Sequence, residues 1–425
     1  KYYYPEGYIE VESPEDVKAA LYCLKSQQLK FAIKCGAHSM EKYSLSGNDR
    51  WIIDMAKMKD IKFNKETMIA EIEAGNRMID IVTRLWDEGK YGVTTANAYS
   101  VGVSGFSLGG GFSLFSRRYG MMVDNIVAID IVTADLQIVR IDKDNYADLF
   151  RAIRGAGGLN YAVATKFYVK AFDASQLLVS AVIQYHPKNI INVYRKWVQY
   201  LRTFPPATLT TIIVFDPKTL DLKFVIKEDK LEVALKHLAT VKRYFKRLNY
   251  VRDVRILPFN DTFERLAVPW PTKPFYYRKT SMYVNKFLNN KEINQLAKVL
   301  KKYPWMTMLI ESQNGSINLH NKSENCFCHR QSVHSIQYGY DVDVSNGKTI
   351  EQADAESAAL SVELEKAIAD LQFMDAGESY VNVMYAPNRD QPKRYYCDNF
   401  EFLKEMKRKY DPENIFNYYQ SIPLQ

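Results

Sequence analysis

The sequence predicts an α+β fold, and three observations carry that prediction. Up to about residue 172, short strands alternate with short helices. From about 173 the strands lengthen and alternate apolar with polar residues, and long amphipathic helices separate them. Two glycine-rich turns, Lys34-Cys-Gly-Ala-His-Ser and Val101-Gly-Val-Ser-Gly-Phe-Ser-Leu-Gly-Gly-Gly, punctuate the first part.

Taken in order, Tyr8-Ile-Glu-Val alternates as a strand. Ser13-Pro-Glu-Asp opens a helix: Ser13 caps it, Pro14 fits its first position and acidic residues suit its first turn. Leu29-Lys-Phe-Ala-Ile returns as a strand into the first glycine turn. Trp51-Ile-Ile-Asp and Met68-Ile-Ala-Glu-Ile-Glu-Ala read as short strands, and 78–88 as an amphipathic helix. Residues 126–132 and 137–141 form a hairpin across Thr133-Ala-Asp. A helix over 145–154 is broken by Gly155-Ala-Gly-Gly, and 161–171 is the last strand of this part. Strands then follow at 177–185, 209–215, 275–283, 307–311 and 335–342, with helices at 187–203, 230–244, 290–303 and 350–371. That pattern predicts an antiparallel sheet covered by helices. The final stretch, 399–417, reads as a helix followed by Asp411-Pro-Glu-Asn-Ile-Phe. The expected units are 1–172, 173–385 and a segment, 386–425, returning to the first.

A chain of 425 residues exceeds one small core. Its 47% hydrophobic and 13% aromatic content excludes a disordered chain. The net charge of +8 favours anionic cofactors or acidic substrates. The densest basic runs, 236–252 and 404–409, alternate with apolar residues at helical spacing, so they read as solvated helix faces and no nucleic-acid partner is expected. No run of 18 apolar residues is present, so no membrane span is expected. Of the cysteines (Cys23, Cys35, Cys326, Cys328 and Cys397), Cys326 and Cys328 stand near His329 and His334, a weak metal-ligand set. A metal-dependent hydrolase built there would leave both glycine turns unexplained, and no metal is expected. Sequons at Asn260, Asn314 and Asn321 would suit a secreted protein.

Neither glycine turn has the spacing of a Rossmann fingerprint or a P-loop. Both are places where small side chains let backbone N–H groups approach an anion. Two such turns far apart in sequence point to one long anionic ligand held at two places. The pyrophosphate of a flavin dinucleotide is such a ligand.

Four signatures carry a resemblance. Lys34-Cys-Gly-Ala-His-Ser is similar to Arg-Ser-Gly-Gly-His-Ser. The second turn continues to Arg118-Tyr-Gly and Asp124-Asn. Asp148-Leu-Phe-Arg-Ala-Ile-Arg-Gly-Ala-Gly-Gly-Leu-Asn-Tyr follows, and Tyr396-Cys-Asp-Asn-Phe with Tyr410-Asp-Pro-Glu-Asn-Ile-Phe and Gln420-Ser-Ile-Pro closes the chain. In this order they resemble the berberine bridge enzyme-like flavin oxidases of the vanillyl alcohol oxidase superfamily, from about residue 5 to the C-terminus.

The resemblance implies a two-part FAD-binding domain of the PCMH type, a substrate domain and a C-terminal berberine-bridge-type segment. It implies FAD bonded through His38 and contacted by Lys34, Cys35, Gly36, Ala37 and Ser39 in the first turn. From the second turn it implies Ala98, Ser100, Val101, Gly102, Gly105, Phe106, Leu108, Gly109 and Gly110, and elsewhere Val163 and Asn382. Ala98 stands where many relatives carry a second, cysteinyl tether, so a single histidyl link is expected. Val101 matches a gate whose small side chain admits O2, which implies an oxidase releasing hydrogen peroxide. Family residence in secreted or endomembrane compartments is the matching expectation for location.

Gln337 matches a glutamine lying over the flavin. Tyr380-Val-Asn-Val resembles Tyr-x-Asn-Tyr, whose last tyrosine is the base in several relatives; here it is Val383. A phenol can take a proton and valine cannot. Tyr380 and Tyr385 are the tyrosine substitutes, Tyr385 sharing the face of Val383 if this segment is a strand. His329, His334 and Glu311 are further candidates. The expected reaction is hydride transfer from a small organic substrate, an alcohol or sugar hydroxyl, to FAD. The alternatives are oxidative cyclisation of a secondary metabolite and a flavin-binding protein with altered catalysis.

Overall fold

The structure is a computed structural model that describes residues 4–45, 49–245, 250–268, 275–344 and 347–425. Ser13 and Asp16 form a capping box at the start of the helix Pro14–Ser26. That helix packs against the strands Ile126–Thr133 and Ile138–Asp142. A separate three-stranded parallel sheet places Trp51–Asp54 between Gly7–Glu10 and Phe31–Lys34. A five-stranded antiparallel sheet runs Ile61–Asn64, Ile69–Glu73, Ala162–Lys170, Ile126–Thr133, Ile138–Asp142.

A seven-stranded antiparallel sheet follows in the order Tyr250–Leu257, Leu178–Tyr185, Leu220–Ile226, Leu209–Phe215, Thr307–Ser312, His334–Asp343, Phe275–Val284. Helices Ile190–Leu201, Leu231–Tyr244, Asn290–Lys302 and Ile350–Leu371 contribute to the core on one of its faces. Period-two alternation sends neighbours into different cores. Ile213 and Met282 join the helix-covered core, whereas Ile212 and Tyr283 join the core shared with the first half of the chain. The second sheet face therefore closes over the glycine turns.

Two strands lie where the pattern reading placed none. Leu220–Ile226 pairs with Leu209–Phe215 as a hairpin, and its Asp221 and Lys223 alternate with buried Leu220, Leu222 and Phe224. Tyr250–Leu257 is the sheet edge among the described residues, where charged residues are tolerated because one side pairs with no further described strand. The basic run 236–252 is thus not one helix: the helix ends at Tyr244, a strand begins at Tyr250, and 246–249 lie outside the described residues. The helix Phe259–Leu266 was also unanticipated. Among the described residues no helix is long and apolar enough to cross a membrane.

The C-terminal helix Phe400–Tyr410 packs on Ala147–Ile153, where Lys409 and Tyr410 both reach Asp148. Lys407 is fully buried; its ammonium donates to Asp411 at 2.6 Å and to the carbonyls of Asn160 and Phe416 at 2.8 and 2.6 Å. Replacing Lys407 by methionine leaves the Asp411 carboxylate buried without its cation. The expected cost is about 3–5 kcal/mol, read as a lower urea midpoint.

Candidate functional site

The two glycine turns meet backbone to backbone. A Cβ on Gly36 would lie 2.1 Å from the Gly102 nitrogen, and one on Gly102 would lie 2.3 Å from Cys35 Sγ. Only hydrogen fits at either position. Gly102→Ala must push the turns apart, and a protein that no longer retains flavin on gel filtration is the expected result. Ala37 holds φ of +59, a left-handed backbone normally left to glycine.

His38 projects from the first turn and meets the second, with Nε2 2.6 Å from Ser100 Oγ. Burial, with a lesser push from Arg77, holds the imidazole below its ordinary pKa. It is therefore neutral near pH 7 and keeps a nitrogen lone pair for bond formation. The Lys34 ammonium is tied to Asp54 at 2.5 Å, so its side chain braces two strands and is not free to meet an anion. Cys35 donates to the Ala74 carbonyl at 2.7 Å, and burial pushes its thiol up; it is a small packing residue. Ser39 Oγ accepts from the Tyr43 N–H.

In the second turn, the Val101 carbonyl accepts from Met78 N–H, and the helix Val103–Leu108 starts at Gly102 without a side-chain cap. Ala98 bridges to Val268 through backbone. Gly105 faces open space. The Leu108 carbonyl accepts from Gly155 and Gly157, which fixes the third glycine run. Asn382 Nδ2 donates to the Phe106 carbonyl at 3.0 Å, and its Oδ1 occupies the place a Cβ on Gly109 would need. Gly110 lies against Phe327. Val163 is buried in Ala162–Lys170, opposite Val132.

The hydroxyls of Ser107 and Thr95 are buried there with no hydrogen-bond partner among the described residues. Unpaired hydroxyls, open space at Gly105 and side-chain-free turns suit an extended anionic dinucleotide. The donor set fits FAD.

The sheet face away from the covering helices carries the polar residues. Glu311 stands opposite Ser335, and Ser335 opposite Tyr283. Ser335 Oγ and Gln337 Nε2 both donate to Glu311 Oε2 at 3.3 Å, and Gln313 Nε2 donates to Ser335 at 3.0 Å. Glu311 is buried, and burial pushes its carboxyl up to about 7, against the opposing pull of the two hydrogen bonds. It is poised to exchange a proton near neutral pH.

The Tyr380 oxygen accepts from Gly111 N–H at 2.9 Å, Phe112 N–H at 3.2 Å and Asn382 Nδ2 at 2.9 Å. Burial pushes its hydroxyl up to about 12. It holds the end of the second turn, and at neutral pH its proton stays on. The strand expected at Val383 is absent: Val381–Val383 is a 3₁₀ turn. The shared-face argument for Tyr385 therefore fails. Its hydroxyl donates to Glu365 on the covering helix, its backbone N–H donates to the Tyr395 hydroxyl, and Arg278 lies over its ring. It belongs to the helix-side core.

His334 also points to the helix side, 2.9 Å from the Tyr194 hydroxyl and edge-on to Trp197. It is thus separated from Cys326 and Cys328, and the sequence-adjacent metal set does not assemble. Cys328 is instead joined to Cys397 as a disulfide. His329 stacks on Tyr283 at 4.2 Å, and Arg330 forms a buried ion pair with Asp124 that ties this loop to the second turn.

Residues 5–142 match the FAD binding domain family, and residues 379–423 match the family described as berberine and berberine like. The chain is similar to the FAD-linked oxidoreductase YgaK of Bacillus subtilis, with 26% identity over 99% of this chain and 91% of the relative. It is 24% identical to a carbohydrate oxidase of Microdochium nivale over 99% of this chain and 88% of the relative. Among solved structures, Physcomitrella patens BBE-like 1 superposes with a TM-score of 0.87 at 25% identity, covering 99% of this chain and 92% of that one.

Proposed function

This chain belongs to the berberine bridge enzyme-like FAD-linked oxidoreductases, and from that premise we propose that it is an oxidase of a sugar or similar small alcohol. In this reading FAD is bonded through His38 alone, and O2 is reduced to H2O2. The observation that carries it is the placement of a neutral His38 where the two glycine turns touch. When bound, FAD supplies the hydride acceptor and returns the electrons to O2. Ala98 offers no sulfur for a second bond, and the small Val101 supports access by O2.

The chain's own residues do the rest. Gly36 and Gly102 keep the turns close enough for backbone to grip the pyrophosphate. Tyr380 and Asn382 fix the end of the second turn. Gln337 and Ser335 orient Glu311, and Glu311, once ionised, takes the proton of the substrate hydroxyl as hydride leaves the adjacent carbon. A face lined by Gln313, Ser335, Gln337 and Glu311 suits a polyhydroxylated substrate, which fits the carbohydrate oxidase relative.

Anaerobic mixing with a panel of mono- and oligosaccharides and simple alcohols tests this. At least one sugar is expected to bleach the bound flavin, with a stoichiometric burst of H2O2 when air is admitted. Retained yellow flavin that no sugar or alcohol bleaches would sink the oxidase reading and leave a flavin-binding protein.

A further inference from the structure

One cluster takes no part in this chemistry. Cys328 and Cys397, 69 residues apart in sequence, are bonded with Cα atoms 6.2 Å apart. His329 Nδ1 lies 3.8 Å from Cys328 Sγ and 4.0 Å from Cys397 Sγ. Glu378 Oε2 lies 2.7 Å from the same nitrogen. The ligand atoms of Cys328, His329 and Cys397 all fall within 4.8 Å of one another. Cys328 and His329 are buried, and the stack on Tyr283 fixes the imidazole plane.

A disulfide staple requires neither an imidazole at its sulfurs nor a carboxylate on that imidazole. Two sulfurs and a ring nitrogen within 4.8 Å of one another, with a carboxylate oxygen on that nitrogen, supply the donor types of a tetrahedral zinc site. Zn–S bonds of about 2.3 Å and Zn–N bonds of about 2.0–2.1 Å put sulfur and nitrogen roughly 3.6 Å apart, close to the separations seen. Cys397 holds φ of 47 and ψ of −131, a backbone that favours glycine, so a cysteine here is kept against local preference.

We propose that Cys328, Cys397, His329 and Glu378 form a redox-gated Zn2+ site, closed as the disulfide and open as the dithiol. A dithiol reductant supplies two electrons and two protons; the S–S bond breaks, two thiols form and the reductant becomes a disulfide. Zn2+ then displaces both thiol protons to solvent and takes the Nδ1 lone pair, while the ring proton moves to Nε2. Glu378 leaves Nδ1 and supplies the fourth bond. Reoxidation by a two-electron oxidant such as H2O2 re-forms the disulfide, releases Zn2+ and yields two waters with two protons consumed.

The test uses the full chain with its flavin. Thiols are counted in denaturant before and after reduction, and Co2+ is titrated anaerobically as the probe after the reductant is removed. Expected are three thiols before reduction and five after. The reduced protein should bind one equivalent of Co2+, with a thiolate charge-transfer band and intense tetrahedral visible bands, displaced by Zn2+; the oxidised protein should bind none. Cys397→Gly suits the local backbone, so it should keep the flavin and, compared with the reduced wild type, which also lacks the bridge, the thermal midpoint. It should weaken the site by more than ~100-fold, beyond the 10–100-fold typical of an outer-shell partner. Five thiols and no cobalt bands after reduction overturn the site. Five thiols before reduction overturn the gate, and cobalt binding unchanged in Cys397→Gly places the ion elsewhere.

Discussion

Glu311→Gln is expected to lower kcat by about 10²–10⁴-fold with little change in KM, because the amide keeps the shape and loses the proton acceptor. Wild-type activity should rise through about pH 7 as Glu311 ionises, and the variant should lose that limb. Stability gives an independent readout. The folded-state pKa is raised from 4.5 to about 7, so the folded chain binds the proton more tightly than the unfolded chain does. The stabilisation is complete below about pH 4.5 and is lost as pH rises through about 7, amounting to about 3 kcal/mol. Glutamine carries no such penalty, so the variant should overtake the wild type in thermal midpoint at pH 8 while remaining inactive. Activity within threefold of wild type would place the base elsewhere.

His38→Ala is expected to abolish acid-stable flavin. After acid precipitation the wild-type pellet should stay yellow and carry the added mass of one FAD; the variant should give a colourless pellet of unmodified mass and a yellow supernatant. The turns themselves do not depend on the imidazole, since Gly36, Gly102 and Cys35 make the contact. Dissociable FAD should therefore still bind, with slower turnover because the tether's electron withdrawal is gone. A pellet that stays yellow in the variant would put the bond on another side chain.

The parts of this protein legible in its sequence are those governed by neighbours along the chain. Ser13 and Asp16 sit three residues apart and build their capping box alone, and the helix Ile350–Leu371 keeps the bounds its pattern predicts. The glycine runs are visible as composition, although the contact that requires glycine at Gly36 and Gly102 is made between the two turns. The strand Tyr250–Leu257 was missed, its first residues being taken into the basic run 236–252, because an edge strand tolerates charge, which imitates a basic helix face.

What tertiary structure decided is where side chains of distant elements point. Val381–Val383 coils into a 3₁₀ turn, which turns Tyr385 toward Glu365 and commits the Tyr380 oxygen to Gly111 and Phe112. Glu311 is an ordinary acid in the sequence; only burial between paired strands, beside Ser335 and Gln337, raises its pKa. Cys397 stands in a closing signature, and its partner lies 69 residues away. Sequence by itself determined the fold class and the two glycine turns, with His38 in the first of them, because these rest on spacing and backbone permissiveness. Tertiary structure alone buried Glu311 and assembled the sulfur–imidazole cluster, because desolvation and through-space distance exist only once distant elements pack on each other.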